Sequence, residues 1–189
     1  AIQNYDGGEI TTLINTGTIS AVSSNDTAYG IYVNNGPGLS STISTLTNTG
    51  TISGSVTGSG LDAFDIKNDG VITTFNNQQT GLTYSGTLPV NYNIIINSPT
   101  SYGQMFVTSE AGSTNFGLSS VSTNLFNGKY NNVMTGVSDG NVGATRSGSL
   151  TGDGQSAVGT ANWVLSETAS GSSAWDLNIT GDYVYFGSV

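Results

Sequence analysis

Apolar residues in this chain come in short runs that alternate with Thr, Ser and Asn, and the clearest run occurs twice. Ile10-Thr11-Thr12-Leu13-Ile14-Asn15-Thr16-Gly17-Thr18-Ile19-Ser20 returns nearly letter for letter as Ile43-Ser44-Thr45-Leu46-Thr47-Asn48-Thr49-Gly50-Thr51-Ile52-Ser53. A degraded copy follows at Phe64 to Thr73, carrying Asn68 and Gly70, and a weaker one lies at Tyr29 to Gly36, carrying Asn34 and Gly36. Alternating Ile, Val and Thr suit a pleated strand. Asn and Gly tolerate the positive φ of a sharp turn. Repetition this close is an architectural signal, and it predicts one coil of a β-solenoid per copy. The expected fold is therefore all-β, a parallel β-helix or β-solenoid. Stacked coils would place Asn15, Asn34, Asn48 and Asn68 above one another as a side-chain amide ladder, with Gly17, Gly36, Gly50 and Gly70 at the turns.

Pro89 marks a change of texture. Residues 1–88 read as the coils with Asn-x-Gly repeats. Residues 89–189 read as a β-rich C-terminal region, in which longer, non-repetitive strands carry both tryptophans and most phenylalanines. Their larger side chains predict a cap or a small sandwich-like core. No window keeps a helical 3.6-residue period. The last run, Tyr183-Val184-Tyr185-Phe186, alternates like a strand and is the expected site of self-association by strand addition, and the N-terminal run from Glu9 to Ile14, with one charge and no proline, is the other edge expected to be open.

Composition narrows the function. Three Lys+Arg stand against 12 Asp+Glu, for a net charge of −9 and a pI near 4.1. A phosphate backbone or an anionic bilayer would be repelled, which argues against nucleic acid and against membrane docking or insertion by this segment. Charged residues make up only 8% of the chain, with Gly, Ser, Thr and Asn in their place. Such a surface fits the cell exterior, and the absence of cysteine points to bacterial export rather than to a eukaryotic disulfide scaffold. The chain starts at Ala1 without a basic leader, which predicts a removed signal peptide or a piece of a longer protein.

The chemistry to be found is sparse. Without a single histidine there is no Ser-His-Asp triad, no imidazole base and no histidine-ligated zinc. Lys67 and Lys129 read as solvated charges rather than as members of a Ser-Lys dyad. The densest acidic group is Asp62, Asp65 and Asp69. Within it, Gly58-Ser59-Gly60-Leu61-Asp62-Ala63-Phe64 resembles most of the calcium nonapeptide of β-roll toxins, which makes Asp62 and Asp65 a calcium candidate. One copy supplies half a site, and no tandem partner follows, so a glycine-rich turn is the plainer reading. Gly152-Asp153-Gly154-Gln155-Ser156-Ala157 matches a dinucleotide fingerprint in letters but lacks the following helix, and reads as a loop. Thr16, Thr18, Thr47, Thr49 and Thr51 raise an ice-binding face, which needs more coils than carry the pattern. Tyr29, Tyr32 and Tyr84 raise carbohydrate stacking. No cofactor and no enzymatic activity are expected.

The coils Leu13-Ile14-Asn15-Thr16-Gly17-Thr18-Ile19 and Leu46-Thr47-Asn48-Thr49-Gly50-Thr51-Ile52 resemble those of the passenger domains of bacterial autotransporters. The second half is similar to the region that precedes the membrane barrel in such proteins, through Tyr92-Asn93-Ile94-Ile95-Ile96, Ser101-Tyr102-Gly103-Gln104-Met105 and Ala174-Trp175-Asp176-Leu177. The resemblance implies a right-handed β-helix followed by an autochaperone-like unit on a secreted, cell-surface protein. By that resemblance the function is adhesin-like and non-enzymatic: a passenger stalk whose partners are its own kind or a surface glycan or protein. The alternative is a self-assembling subunit of an extracellular fibre or sheath.

Overall fold

The computed structural model describes residues 1–187. It is all-β. The described residues form twenty strands and one 3-10 turn at Asp139–Asn141, and no helix among them is long and apolar enough to cross a membrane. In chain order the first ten strands are β1 (Ile2–Tyr5), β2 (Glu9–Asn15), β3 (Thr18–Ser23), β4 (Ala28–Asn34), β5 (Thr42–Asn48), β6 (Thr51–Val56), β7 (Ala63–Asn68), β8 (Val71–Asn77), β9 (Leu82–Thr87) and β10 (Asn91–Ile94). The second ten are β11 (Ile96–Ser98), β12 (Ser101–Tyr102), β13 (Met105–Ala111), β14 (Asn115–Leu118), β15 (Asn124–Leu125), β16 (Gly128–Thr135), β17 (Ser147–Thr151), β18 (Ala157–Glu167), β19 (Ala174–Thr180) and β20 (Tyr183–Tyr185).

The strands β1, β2 and β3 enter three different sheets, and β4, β5 and β6 return to the same three in the same order. Every one of these returns is a parallel pairing. The register puts like on like: Ile10 beside Ile43 and then Ile72, Leu13 beside Leu46 and then Phe75, Ile19 beside Ile52, Ile31 beside Ile66. Ile43 and Leu46, the middle members of their rows, are thus covered on both sides by side chains of similar size. Ile31, Ile43, Leu46, Ile52, Ile66, Ile72 and Phe75 are all fully buried. At roughly 25 cal/mol per Å² of apolar area removed from water, these stacked rows are the main favourable contribution of the N-terminal half.

Parallel stacking does not stop at Pro89. It runs on through β8, β10 and β14 in one sheet and through β9, β13 and β16 in the other. The change comes at β16, whose far side pairs antiparallel with β19, after which β18, β20 and β15 complete the sheet and β17 flanks β18. One buried cluster spans the chain from Ile31 to Tyr183 without a break at Pro89. Two tryptophans tie the antiparallel part to the rest. Trp163 packs edge-on against Phe116, ring centres 5.7 Å apart, and the fully buried Trp175 donates its indole N–H to the Val137 carbonyl at 2.8 Å. The Arg146 guanidinium lies 4.8 Å over the Trp175 ring, a cation–π contact.

The strand expected to recruit a neighbour is already occupied. Tyr183, Val184 and Tyr185 form β20, which pairs with β18 on one side and β15 on the other. Tyr183 is buried, and Phe186 donates its backbone N–H to the Ser156 carbonyl. With both backbone edges taken, this segment has no row of N–H and C=O groups to offer another chain.

Candidate functional site

The amide ladder exists, with a different membership. Asn15 Nδ2 donates to Asn48 Oδ1 at 2.8 Å, and Asn48 Nδ2 donates to Asn77 Oδ1 at 3.2 Å. All three are buried where β2, β5 and β8 end. Asn77, which sequence reading missed, finishes the ladder by donating to the carbonyls of Gln79 and Gln104. Asn68 belongs to the other sheet, where its amide donates to the Tyr84 hydroxyl at 3.0 Å and the Thr87 carbonyl at 2.7 Å. Asn34 is half-buried in that same sheet, paired with Tyr5, and takes no place in the ladder.

The recurrence of Asn-x-Gly in both sheets has a local cause. The side-chain oxygen of Asn15 accepts the Gly17 N–H and that of Asn68 accepts the Gly70 N–H, a turn closed by the side chain itself. Asn77 makes the same bond to Gln79. Contrary to the expectation from sequence, none of Gly17, Gly36, Gly50 and Gly70 has a positive φ. Three of them are glycine for space instead. A methyl group on Gly50 would meet the Gly17 carbonyl oxygen, one on Gly70 would meet the Ser41 carbonyl, and one on Gly36 would meet the Asp6 carboxylate. A methyl group on Gly17 would meet no atom within contact distance.

The acidic cluster does not converge. Asp65 is buried and divides its carboxylate between the Gly54 N–H at 3.1 Å and the Thr83 N–H at 2.8 Å, tying β6 to β9. Asp69 faces Lys67 at 3.1 Å and Tyr32, while Asp62 is exposed. No group of three or more acidic side chains that could hold a metal ion occurs among the described residues. Other acids are also committed to structure. Asp176 is buried against Lys129 and the Asn132 N–H. Asp153 closes the turn between β17 and β18, where bonds from the Ser156 hydroxyl and then from the N–H groups of Ser156, Gln155 and Ala157 hold its carboxyl well below the usual range. That turn is the segment whose letters matched a dinucleotide fingerprint. The threonine rows are short: Thr18 meets Thr51 in a sheet only two strands deep, and Thr12, Thr45 and Thr74 give way to Asn91.

The outer face of β4 and β7 gathers aromatic and polar groups. Tyr29 packs on Tyr32, ring centres 4.6 Å apart, and stacks nearly parallel with Phe64 at 6.1 Å. Burial, followed by the hydrogen bond its hydroxyl donates to Asp69 at 2.9 Å, pushes the Tyr32 phenol up to about 12. Tyr32 therefore stays a neutral donor at physiological pH, its ring held in place by the Lys67–Asp69 pair. A groove of about 390 Å³ runs beside these rings and is lined by Ile2, Gln3, Val22, Tyr29 and Tyr32. Flat rings edged by hydroxyl, amide and carboxylate groups suit a polyhydroxyl ligand, whose apolar faces stack while its rim hydrogen-bonds. Tyr84 is not part of this face: it is buried in the core. A comparison of the chain with protein-family models, with curated proteins and with solved structures finds no match.

Proposed function

We propose that the chain is a non-enzymatic module of an extracellular bacterial surface protein, an adhesin-like stalk segment of the kind found in autotransporter passengers. On this reading the three-sheet winding is a β-helix and the antiparallel strands from β16 onward are its terminal cap. The observation that carries the proposal is the in-register parallel stack around Asn15, Asn48 and Asn77. Such a stack adds length coil by coil and exposes flat polar faces rather than a deep cleft. The absence of enzymatic activity is supported by the acids, since Asp65, Asp153 and Asp176 are each held by structural hydrogen bonds. A glycan is the contact we assign, on the Tyr29, Tyr32 and Phe64 face, and the cell exterior is the compartment that the low charge density favours.

Titration of the purified chain against neutral and acidic oligosaccharides, followed by the fluorescence or NMR signals of the tyrosines, tests this reading. Binding that disappears in Tyr29→Ala and Tyr32→Ala supports it. Turnover of any saccharide or ester overturns the non-enzymatic assignment. Binding that survives both substitutions moves the contact elsewhere. The fibre alternative loses one of its two expected carriers, because β20 has no free edge.

A further inference from the structure

The polar rim of the Tyr29, Tyr32 and Phe64 face comes from a change in one turn. Where the repeated phrase reads Asn15-Thr16-Gly17 and Asn48-Thr49-Gly50, the degraded copy reads Asn68-Asp69-Gly70. The Asn68 side chain still closes the turn on the Gly70 N–H at 3.1 Å. A carboxylate has thus replaced a hydroxyl at the corner, and it stands beside the Tyr32 ring. Its backbone is fixed on both sides, since the Asp69 N–H donates to the Val33 carbonyl at 2.8 Å and the Asn35 amide donates to the Asp69 carbonyl at 2.6 Å. Both side-chain oxygens have a partner: Oδ1 lies 3.1 Å from Lys67 Nζ, and Oδ2 accepts from the Tyr32 hydroxyl at 2.9 Å.

Two properties follow from these bonds. First, the corner presents hydrogen-bond acceptors to solvent. A carboxylate has about four lone-pair sites, and Asp69 commits one on each oxygen while its side chain stays 39% exposed. Tyr32 directs its proton at Asp69, which leaves the phenol oxygen to accept. Second, the positive charge on this face is already matched. Lys67 pairs with Tyr32 in register, is 23% exposed and is tied to Asp69. An anion drawn to Lys67 comes almost as near to Asp69, so attraction and repulsion nearly cancel while its hydration is still lost. The net charge of −9 adds repulsion at longer range.

Resting on the glycan reading above, we infer that this face selects a neutral, hydroxyl-rich oligosaccharide over an acidic one, and that Asp69 is the residue that sets the preference. The apolar face of a sugar ring stacks on Tyr29 and Phe64. Two adjacent sugar hydroxyls donate to the Asp69 carboxylate, in charge-assisted hydrogen bonds stronger than those between neutral groups. A further hydroxyl donates to the Tyr32 oxygen. A uronic or sialic acid brings its own carboxylate to the same corner, where two negative charges meet. Asp69, Tyr32 and Lys67 already hold one another in place, so little side-chain freedom is lost on binding.

Calorimetric titration of the whole chain at low and high salt tests this with three probes of equal length. Oligomers of N-acetylglucosamine are the neutral probe, those of galacturonic acid the acidic one and those of glucosamine the cationic one. The expected result is binding of the neutral oligomer with an affinity that salt does not change, and no binding of the acidic one. Asp69→Asn weakens the neutral oligomer about tenfold, as the loss of one charge-assisted hydrogen bond does. The same variant lets the acidic oligomer bind, because Lys67 has then lost its counter-charge. Tighter binding of the acidic oligomer by the unaltered chain overturns the inference, as does an Asp69→Asn variant that holds the neutral oligomer as well as before. A cationic oligomer that outbinds the neutral one and is released by salt is equally fatal, since the face then reads charge rather than hydroxyl groups. If Asp69→Asn fails to fold, the ranking of the probes and the salt response of the unaltered chain decide alone. Binding of none of the three removes the glycan reading and this inference with it, whereas the other adverse outcomes remove the selectivity and leave that reading standing.

Discussion

Asn15 and Asn48 meet through their side-chain amides at 2.8 Å, 33 residues apart and on the neighbouring parallel strands β2 and β5. Asn48 hands the pattern on to Asn77 after 29 residues and also donates to Gln79 Oε1 at 3.1 Å. Asn48 is thus the middle member of a buried polar column, satisfied only because its neighbours are amides too.

Asn48→Ala removes an acceptor from Asn15 and a donor from both Asn77 and Gln79. The expected cost is about 1–3 kcal/mol, the usual range for leaving a buried partner unsatisfied. Asn34→Ala, outside the column, is expected to stay within about 0.5 kcal/mol. Thermal unfolding of the two variants side by side checks the membership of the ladder.

Gly50→Ala drives a methyl group against the Gly17 carbonyl oxygen. Overpacking of this kind costs about 1–3 kcal/mol. Gly17→Ala meets nothing within the monomer and is expected to leave its stability nearly unchanged. Equal losses at the two positions by denaturant titration would show that close approach is not the reason for the glycine.

Asp65→Ala frees the N–H groups of Gly54 and Thr83, each in contact with the carboxylate. A loss of about 1–3 kcal/mol is expected for the orphaned donors. Millimolar calcium should leave the melting temperature of the unaltered chain where it is. A rise on adding calcium that disappears in Asp65→Ala would restore the metal reading.

Tyr84 and Tyr92 are buried, and burial raises the ionisation of both phenols well above its ordinary value. Their folded form keeps the proton more tightly than the unfolded chain does. The stability they contribute is fully present below the unfolded value of about 10 and is lost as pH rises beyond it, by up to about 1.4 kcal/mol per pH unit for each group. Melting temperatures measured across the alkaline range should fall from about pH 10 upward, and the fall should be shallower in Tyr84→Phe.

The parallel pairing of β2 with β5 and of β3 with β6 was legible because Ile10, Leu13, Asn15 and Gly17 recur at Ile43, Leu46, Asn48 and Gly50, and chains that repeat their letters stack their letters. Asn77 escaped because its turn is Asn77-Gln78-Gln79, with the Gln79 N–H doing what the glycine N–H does elsewhere. The informative spacing was Ile-x-x-Leu-x-Asn, which Ile72, Phe75 and Asn77 keep, rather than Asn-x-Gly, which Asn34 and Gly36 also satisfy at a corner of another sheet. The antiparallel pairing of β16, β19 and β18 was not legible. Their partners, such as Tyr130 with Leu177 and Trp163 with Ile179, share no motif and meet only through long-range pairing. For the same reason the alternation of Tyr183 to Tyr185 revealed a strand but not its two neighbours. The tyrosine face depends on Tyr29 and Phe64 falling side by side in register, which no local pattern encodes.

The close seating of Gly50 on Gly17 has a consequence for heredity. An indel of one or two residues inside β5 would throw every later row of side chains out of line, whereas loss or duplication of one whole 33-residue unit brings an asparagine, a glycine and an isoleucine back onto their own kind.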